Sequence, residues 1–503
     1  MRNDARPQDL LPTPSPITMA ATRRERISAV DTAWLRMDRT TNLMMICGVL
    51  RFRERIPLAR LRKVIHERFL VFARFRQRAV ETTAMAFWED DRHFDLDQHV
   101  LRIALPGPAG TDELQALVSR LISTPLDPAR PMWQFHLVDN YAEGSAIVAR
   151  IHHCYADGIA LVRVMLSMTD AAPDGPPAMP FEPRERTRNS GDDPLADLVA
   201  PISGLLASAR KLGATLVEKG AEIWNDPAKA VELAGKGTAL TAEIARLATM
   251  SQDSPTRFKG TPGVAKCVAW ADPLPLSEVK AIGKALGASV NDVLLSCVAG
   301  ALRDYLVEKG DAVDDVMLRA LVPVNLRPME RAYRLGNRFG LVFLELPIGI
   351  ENPIERLYAV RANMNALKGS YQPLLALGLL AAMGSGPRLL QETLLSLLAR
   401  NATSVMTNVP GPQQPLYLAG ACLDSLMFWV PQSGDIGMGV SIISYDDRVQ
   451  FGVVTDRGLC PDPERVIARF GDEFEKVVLT TLMSPWPRDG ELDPEEAASA
   501  VVA

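Results

Sequence analysis

The stretch from Ile147 to Gly158, IVARIHHCYADG, followed by IALVRVML, holds the residue types best suited to chemistry. It reads as a strand, a tight turn and a helix. Side chains alternate across a strand, so Ile147, Ala149, Ile151 and His153 share one face and Val148, Arg150 and His152 the other. Two adjacent histidines at a strand end are therefore expected to do different jobs, one reaching a cavity while the other packs or bonds to backbone. Transfer of an acyl group to a hydroxyl needs a base that titrates near neutrality, takes a proton and returns it; histidine does so without a large shift, contributing typically ~10²–10⁴-fold to rate. Asp157, after the turn, is placed to orient the loop, and Gly158 is expected to let the chain enter the helix without a Cβ clash. The pair alone also fits a structural role. A metal site would need a third ligand and a spacing that HH-x-x-x-D does not supply. Cys154 is open as a nucleophile, and equally as a plain loop cysteine.

The elements that must position this segment come from both halves of the chain. SAVDTAWLRMD repeats Val30, Trp34 and Met37 at helical spacing. MMICGVLRF reads as a strand, Leu58–Phe69 as an amphipathic helix and Ala146–His153 as a second strand. From Ala171 to Pro194, proline, glycine and charge replace periodicity, which is linker chemistry. An alanine-rich helical stretch follows, from about Leu195 to Thr249. Beyond it, LSEVKAIGKALGASVNDVLLSCVAGALRDYLVEKG reads as two helices broken near Gly287, with Ser289 or Asn291 as the cap of the second. LRALVPVNL, GLVFLELPI, GVSIISY and VQFGVVTD read as strands. The division is a tail over 1–26, a first lobe over 27–170, a linker and crossover helix over 171–260, a second lobe over 261–485 and a tail over 486–503. The class is α/β or α+β in two lobes.

Composition narrows the field. The 503 residues suggest two or three domains, and 47% apolar with 23% charged residues is ordinary for a globular chain. A net charge of −5 argues against a nucleic-acid partner. The six cysteines are scattered with no CxxC pair, which points to a reduced, cytoplasmic setting. The N-terminus lacks the apolar core of a signal peptide, and no run reaches ~18 apolar residues. The leucine-rich stretches around Leu374–Met383 and Leu389–Leu398 suit core packing, an acyl tunnel or a membrane-facing patch equally. There is no G-x-S-x-G elbow, no Walker loop and no strand-linked G-x-G-x-x-G, so serine hydrolysis, phosphoryl transfer and nicotinamide chemistry lose ground.

HHCYADG matches the HHxxxDG signature of the coenzyme-A-dependent acyltransferase superfamily, which includes chloramphenicol acetyltransferase, nonribosomal peptide condensation domains and plant alcohol acyltransferases. Within it the chain resembles the bacterial wax ester synthase/diacylglycerol acyltransferases. ISAVDTAWLRMD is similar to that family's opening segment. RPMWQFHLVD, with Pro131 and Trp133, is similar to its Pro-Leu-Trp motif with Met132 in place of leucine. Asn291-Asp292 matches its Asn-Asp pair, VPVNLR ending at Arg327 is a further match, and TNVPGP, with Asn408, Pro410 and Gly411, resembles Ser-Asn-Val-Pro-Gly-Pro with threonine for serine. The resemblance spans about Ile27 to Asp456.

The resemblance implies two chloramphenicol-acetyltransferase-like lobes, mixed sheets flanked by helices, with the active-site channel between them. It implies direct acyl transfer from acyl-CoA, with no resident cofactor and no metal, to diacylglycerol or a long-chain alcohol, at a membrane or lipid-droplet surface. His153 would be the base and His152 its neighbour in the site. Asp157 would be structural and paired with an arginine, for which Arg76 or Arg74 is the candidate. Gly158, Asn291 and Asp292 would support the site; Pro131, Trp133, Arg327, Asn408, Pro410 and Gly411 would border the substrates. A carrier-protein-dependent, condensation-like enzyme and a silent lipid-binding homologue are the rival readings.

Overall fold

A computed structural model describes residues 24–82, 85–178, 250–326, 335–368, 372–385 and 399–484, with 246, 370 and 391 in addition. The tails, most of the 171–260 stretch, Arg327 and most of the second leucine-rich stretch lie outside the described residues.

In chain order the strands are β1 (Arg24–Arg26), β2 (Met45–Phe52), β3 (Gln77–Glu81), β4 (Ala86–Asp90), β5 (Val100–Ile103), β6 (Trp133–Val138), β7 (Ser145–His152), β8 (Lys266–Trp270), β9 (Leu274–Pro275), β10 (Met317–Asn325), β11 (Phe339–Pro347), β12 (Ser404–Pro410), β13 (Tyr417–Leu418), β14 (Ala421–Trp429), β15 (Met438–Tyr445) and β16 (Arg448–Asp456). The α-helices are α1 (Ala29–Met37), α2 (Leu58–Val64), α3 (Thr111–Ile122), α4 (Gly158–Ser167), α5 (Leu276–Ala285), α6 (Val290–Glu308), α7 (Pro353–Leu367), α8 (Gln372–Ser385) and α9 (Pro463–Met483).

Two mixed sheets organise the molecule. One runs β13-β14-β2-β7-β6-β5; the other runs β11-β10-β12-β15-β16-β8, with β9 on β16. β7 is central in the first, antiparallel to β2 and β6, and all eight of its residues are buried. Its Ile147, Ala149 and Ile151 face one core cluster and Val148 another, the alternation that the sequence requires. A sheet covered on both faces reads as a continuous apolar run.

The lobes do not divide as the sequence suggests. β13 and β14, from the C-terminal half, complete the first lobe's sheet, with Met427 opposite Val49 and Trp429 opposite Cys47. The 261–485 block thus supplies strands to both lobes. Residues 253 and 254, assigned to the linker, belong with the second: the Asp253 carboxylate accepts from the Arg319 amide and the Thr403 hydroxyl. Hydroxyls of α3 and its C-cap reach across too, Ser119 accepting from the Val268 amide and Ser123 from the Lys266 amide.

The helix expectations hold locally. Ser28 caps α1 and accepts from the Asp31 amide. α5 and α6 break at Gly287, whose φ of +62° suits glycine. Ser289, rather than Asn291, caps α6, in a reciprocal box with Asp292. Leu58–Phe69 is α-helical to Val64 and then widens into a π-turn. α8 lies against α1 so closely that a Cβ on Gly384 would fall 1.6 Å from the Ala29 carbonyl oxygen.

Candidate active site

His152 closes β7, and His153 is the first residue beyond it. The His153 amide donates to the Met44 carbonyl at 2.7 Å, which continues the ladder one step past the strand and fixes the ring's direction. The two rings part, as alternation demands. His152 is 2% exposed, and its Nδ1 accepts from the Cys154 amide at 3.2 Å. His153 is 3% exposed; its ring stacks on Trp34 at 4.1 Å between centroids and meets Phe339 at 5.7 Å. Trp34 comes from the first lobe and Phe339 from β11 of the second.

Burial sets the protonation state. It pushes His153 down to about 4, opposed by the charge of Asp157, the residue's own carbonyl and the Asn337 side chain. Burial and the neighbouring His153 push His152 down to about 3. Both imidazoles are neutral at pH 7, so His153 has a free lone pair for a proton. Its own carbonyl and the Asn337 side chain are the polar groups that face the ring, and neither reaches Nδ1 with good hydrogen-bond geometry. Burial raises the Cys154 thiol well above its ordinary range, which removes the thiolate a nucleophile needs. Among the described residues no group of three or more His, Cys, Asp or Glu is placed to hold a metal.

The turn after His153 is held by the second lobe. Gly336 bridges Ala156: its amide donates to the Tyr155 carbonyl at 3.1 Å, and its carbonyl accepts from the Asp157 amide at 3.4 Å. Its φ of +104° is glycine's region. Asn337 donates through Nδ2 to both the His153 carbonyl and the Asp31 carboxylate, each at 2.8 Å. Its backbone amide also donates to Asp31, at 3.0 Å. Asp31 is buried in α1, and burial raises its carboxyl above the usual range. Leu335–Arg338 therefore ties α1, the histidine turn and the second lobe together.

Asp157 does two things at once. Oδ1 caps α4 through the Ala160 amide at 2.9 Å, and Oδ2 accepts from the Arg338 amide at 3.0 Å. Among the described residues, Arg338 meets it through the backbone amide. Arg76 is exposed, and Arg74 pairs with Glu25 at 3.1 Å and lies over Trp88. The expected Arg76 or Arg74 pairing is corrected: the segment that carries both ends in a 3₁₀ turn leading into β3, away from the Asp157 carboxylate.

Comparison with known proteins accords with this geometry. Residues 27–294 match the wax ester synthase/diacylglycerol acyltransferase catalytic domain, and residues 335–477 match the C-terminal domain of the same family. The chain belongs to that family. It is therefore an acyltransferase. It is 30% identical over 401 residues to a probable diacylglycerol O-acyltransferase of Mycobacterium tuberculosis, covering 76% of this chain and 82% of the relative. A second probable diacylglycerol O-acyltransferase of that organism is 28% identical over 397 residues, covering 78% and 81%. Among solved structures, the wax ester synthase/diacylglycerol acyltransferase from Marinobacter aquaeolei VT8 superposes with a TM-score of 0.66 at 23% identity, over 91% of this chain and all of that one. The starter condensation domain of rhizomide synthetase, solved with C8-CoA, gives 0.55 at 12% identity over 93% and 97%. These two likenesses speak to the fold.

In the acyltransferase, other motif residues sit elsewhere than expected. Trp133 is fully buried, donating from Nε1 to the Phe75 carbonyl and stacking on His99; Pro131 is buried beside it. Both build the first lobe's interior and not a substrate wall. Gly158 needs no glycine for the turn: its φ is not positive, and a Cβ there would meet nothing within 4 Å. That correction replaces a backbone constraint with open space beside the helix start. Asp292 serves the α6 cap, its carboxylate accepting from the Ser289 amide and hydroxyl. Asn291 and Asn408 do meet, Asn408 Nδ2 donating to Asn291 Oδ1 at 2.8 Å, which joins two motifs on an exposed surface. Gly411 is a close approach of backbones, since a Cβ would fall 2.3 Å from the Ser444 oxygen, and Pro410 is exposed. Sequence reasoning missed Trp34, Asp31, Gly336 and Asn337. Two of them lie within the opening segment, where helical spacing marks Trp34 as core; LGNR carried no spacing signal.

Proposed function

We propose that the chain transfers a long-chain acyl group from acyl-CoA to the hydroxyl of diacylglycerol or a fatty alcohol, with His153 as general base. The observation that carries the reading is the neutral, buried imidazole. Its backbone is fixed from both lobes, by Met44 and Asn337, while Nδ1 is left without a partner. The acceptor hydroxyl gives its proton to His153 as its oxygen attacks the thioester carbon. The tetrahedral adduct collapses, the carbon–sulfur bond breaks, and the imidazolium protonates the departing thiolate. In this scheme the acyl group passes directly from sulfur to the acceptor oxygen, with no acyl-enzyme between them. Asp157 acts through position. It caps α4 and holds the turn to Arg338, which keeps His153 aimed.

A lipid acceptor calls for a lipid-facing surface, and α8 suits that role. Its fourteen residues, QPLLALGLLAAMGS, carry no charge; Leu380 and Met383 pack inward, while Leu375, Leu377 and Leu379 are only partly buried. No single described helix is long and apolar enough to cross a membrane. We take the enzyme to work peripherally, from the cytoplasmic side, with α8 against the lipid.

The test is release of free thiol from palmitoyl-CoA with hexadecanol, dioleoylglycerol or a short alcohol. His153→Ala should lower turnover by ~10²–10⁴-fold with its thermal transition near wild type. Wild-type turnover by the variant would end the base assignment. Inactivity of the native enzyme toward every lipid alcohol would end the acceptor assignment.

A further inference from the structure

Buried polar atoms in native proteins almost always find partners, and each exception calls for a reason. Around His153 three exceptions gather. Trp34 Nε1, Asn337 Oδ1 and His153 Nδ1 are buried without a hydrogen bond among the described residues, whereas His152 Nε2, on the opposite face, lies 3.9 Å from the Asp38 carboxylate. Trp34 is 6% exposed, and its indole lies over the imidazole, 4.1 Å between centroids with 22° between planes. Packing alone does not force an indole N–H to go unpaired in this lobe. Trp133, buried still more completely, donates to the Phe75 carbonyl at 2.8 Å. The orphaned indoles of Trp270 and Trp429 face one another at 5.9 Å in a different core cluster, with no imidazole beside them.

An indole N–H is a donor and nothing else. The reaction needs a donor at one place: the thioester carbonyl oxygen, which becomes an oxyanion as the hydroxyl attacks. That oxygen is bonded to the carbon being attacked next to His153. The indole is stacked on the imidazole, 4.1 Å between centroids, so its N–H belongs to the ring that borders the proton acceptor. A carbonyl oxygen under attack beside the imidazole and within hydrogen-bond reach of that N–H, roughly 3 Å, would be held by it.

We propose that Trp34 is a catalytic residue whose Nε1–H donates to the thioester carbonyl oxygen and stabilises the oxyanion. This rests on the assignment of His153 as base. The acceptor O–H bond breaks, its proton goes to His153, and the new O–C bond forms from the oxygen's electron pair. The carbonyl π pair moves onto the oxygen that Trp34 holds. The pair returns, the C–S bond breaks, and the sulfur takes the proton from His153. Ester and coenzyme A thiol leave, with nothing oxidised or reduced. No protein group takes the Trp34 N–H among the described residues, which leaves it for the substrate oxygen. A stacked, desolvated N–H also needs no rearrangement at the moment of reaction.

Trp34→Phe keeps an aromatic ring over His153 and removes only the donor. We expect kcat to fall about 10²–10³-fold, the size of one lost oxyanion donor, with KM within about 3-fold of wild type. The thermal midpoint should stay level or rise, because the lost N–H made no hydrogen bond in the free enzyme. The acid limb of the pH–rate profile, which reports His153, should not move. Where Trp34→Phe does not fold, 3-benzothienylalanine at position 34 replaces the ring N–H by sulfur at nearly constant shape, and the same drop in kcat is expected. Either folded variant turning over at the wild-type kcat overturns the proposal. His153→Ala, run in parallel, separates the two ideas: an active His153→Ala removes the base reading, whereas an inactive His153→Ala beside fully active Trp34 variants removes this inference alone.

Discussion

Two buried polar clusters, one in each lobe, are built on opposite terms. In the second lobe Arg356 is 1% exposed and every arm is engaged. Nε donates to the Ser296 carbonyl at 3.2 Å, Nη1 to the carbonyls of Ile350 and Glu351 at 3.0 and 2.9 Å, and Nη2 to Glu473. Glu473 in turn accepts from Lys476 at 2.5 Å, and Gly300 leaves the space, since a Cβ there would overlap the carboxylate and the guanidinium. Around His153 the backbone is as firmly bonded, yet the side-chain atoms that point inward are left vacant. A saturated network fixes one arrangement of α6, α7 and α9. A vacant one, rigid in its frame, awaits a ligand that completes it.

The largest test of this contrast is to break the saturated cluster. Glu473→Leu leaves the Arg356 guanidinium buried and unpaired, and should cost about 3–5 kcal/mol in urea unfolding. Arg356→Met with Glu473→Leu should recover much of that loss, because two apolar chains replace a desolvated pair. Neither change should alter kcat measured on the folded fraction. A kcat that falls with stability in both variants would show that the two clusters are not separable.

How legible this was differs by level. The strand–turn–helix around His153, the break at Gly287 and the strands β10, β11, β15 and β16 follow from periodicity and turn chemistry, which are local. The division of labour between His152 and His153 follows from alternation alone. The exchange of β14 into the first sheet was not legible, because a strand's own residues say that it is buried and not beside which neighbour. Arg338 was missed for the same reason. It meets Asp157 through its amide, so its side-chain identity carried no signal, and the sequence separation of 181 gave no hint. Trp133 misled in the opposite sense: a motif tryptophan was expected to touch substrate and instead holds the lobe's centre.

A smaller effect comes from the strap between the lobes. Asn337→Ala removes the donor shared by Asp31 and the His153 carbonyl while keeping the backbone bond to Asp31. Two lost hydrogen bonds to buried acceptors, one of them a carboxylate, should cost about 1–3 kcal/mol. Because the histidine turn loses its second-lobe anchor, kcat should fall more than KM rises. Asn337→Asp would place a second carboxyl against Asp31 and should be worse. An Asn337→Ala enzyme with a lowered melting midpoint and full kcat would make the strap a brace for the lobes and no part of the site.

The finest discrimination comes from pH. Burial holds His136 at about 4, His152 at about 3 and His153 at about 4, whereas in the unfolded chain each titrates near 6.5. Between those limits the unfolded state binds more protons than the native one. Stability should therefore rise with pH from about 4 to 6.5 and level off above, with a slope of up to ~1.4 kcal/mol per pH unit for each histidine. His136 is the informative member. Both its ring nitrogens are orphaned, yet it stands opposite Val148, on the sheet face that carries His152 and away from the face of Trp133, Phe135 and His153. Lack of a partner alone would make it part of the site; its place on the face opposite Trp34 and His153 excludes it. His136→Leu should make the acid loss of stability shallower by one histidine's share and leave kcat and its pH profile unchanged. A fall in kcat would show that the vacant atoms on both faces of the first sheet act as one system.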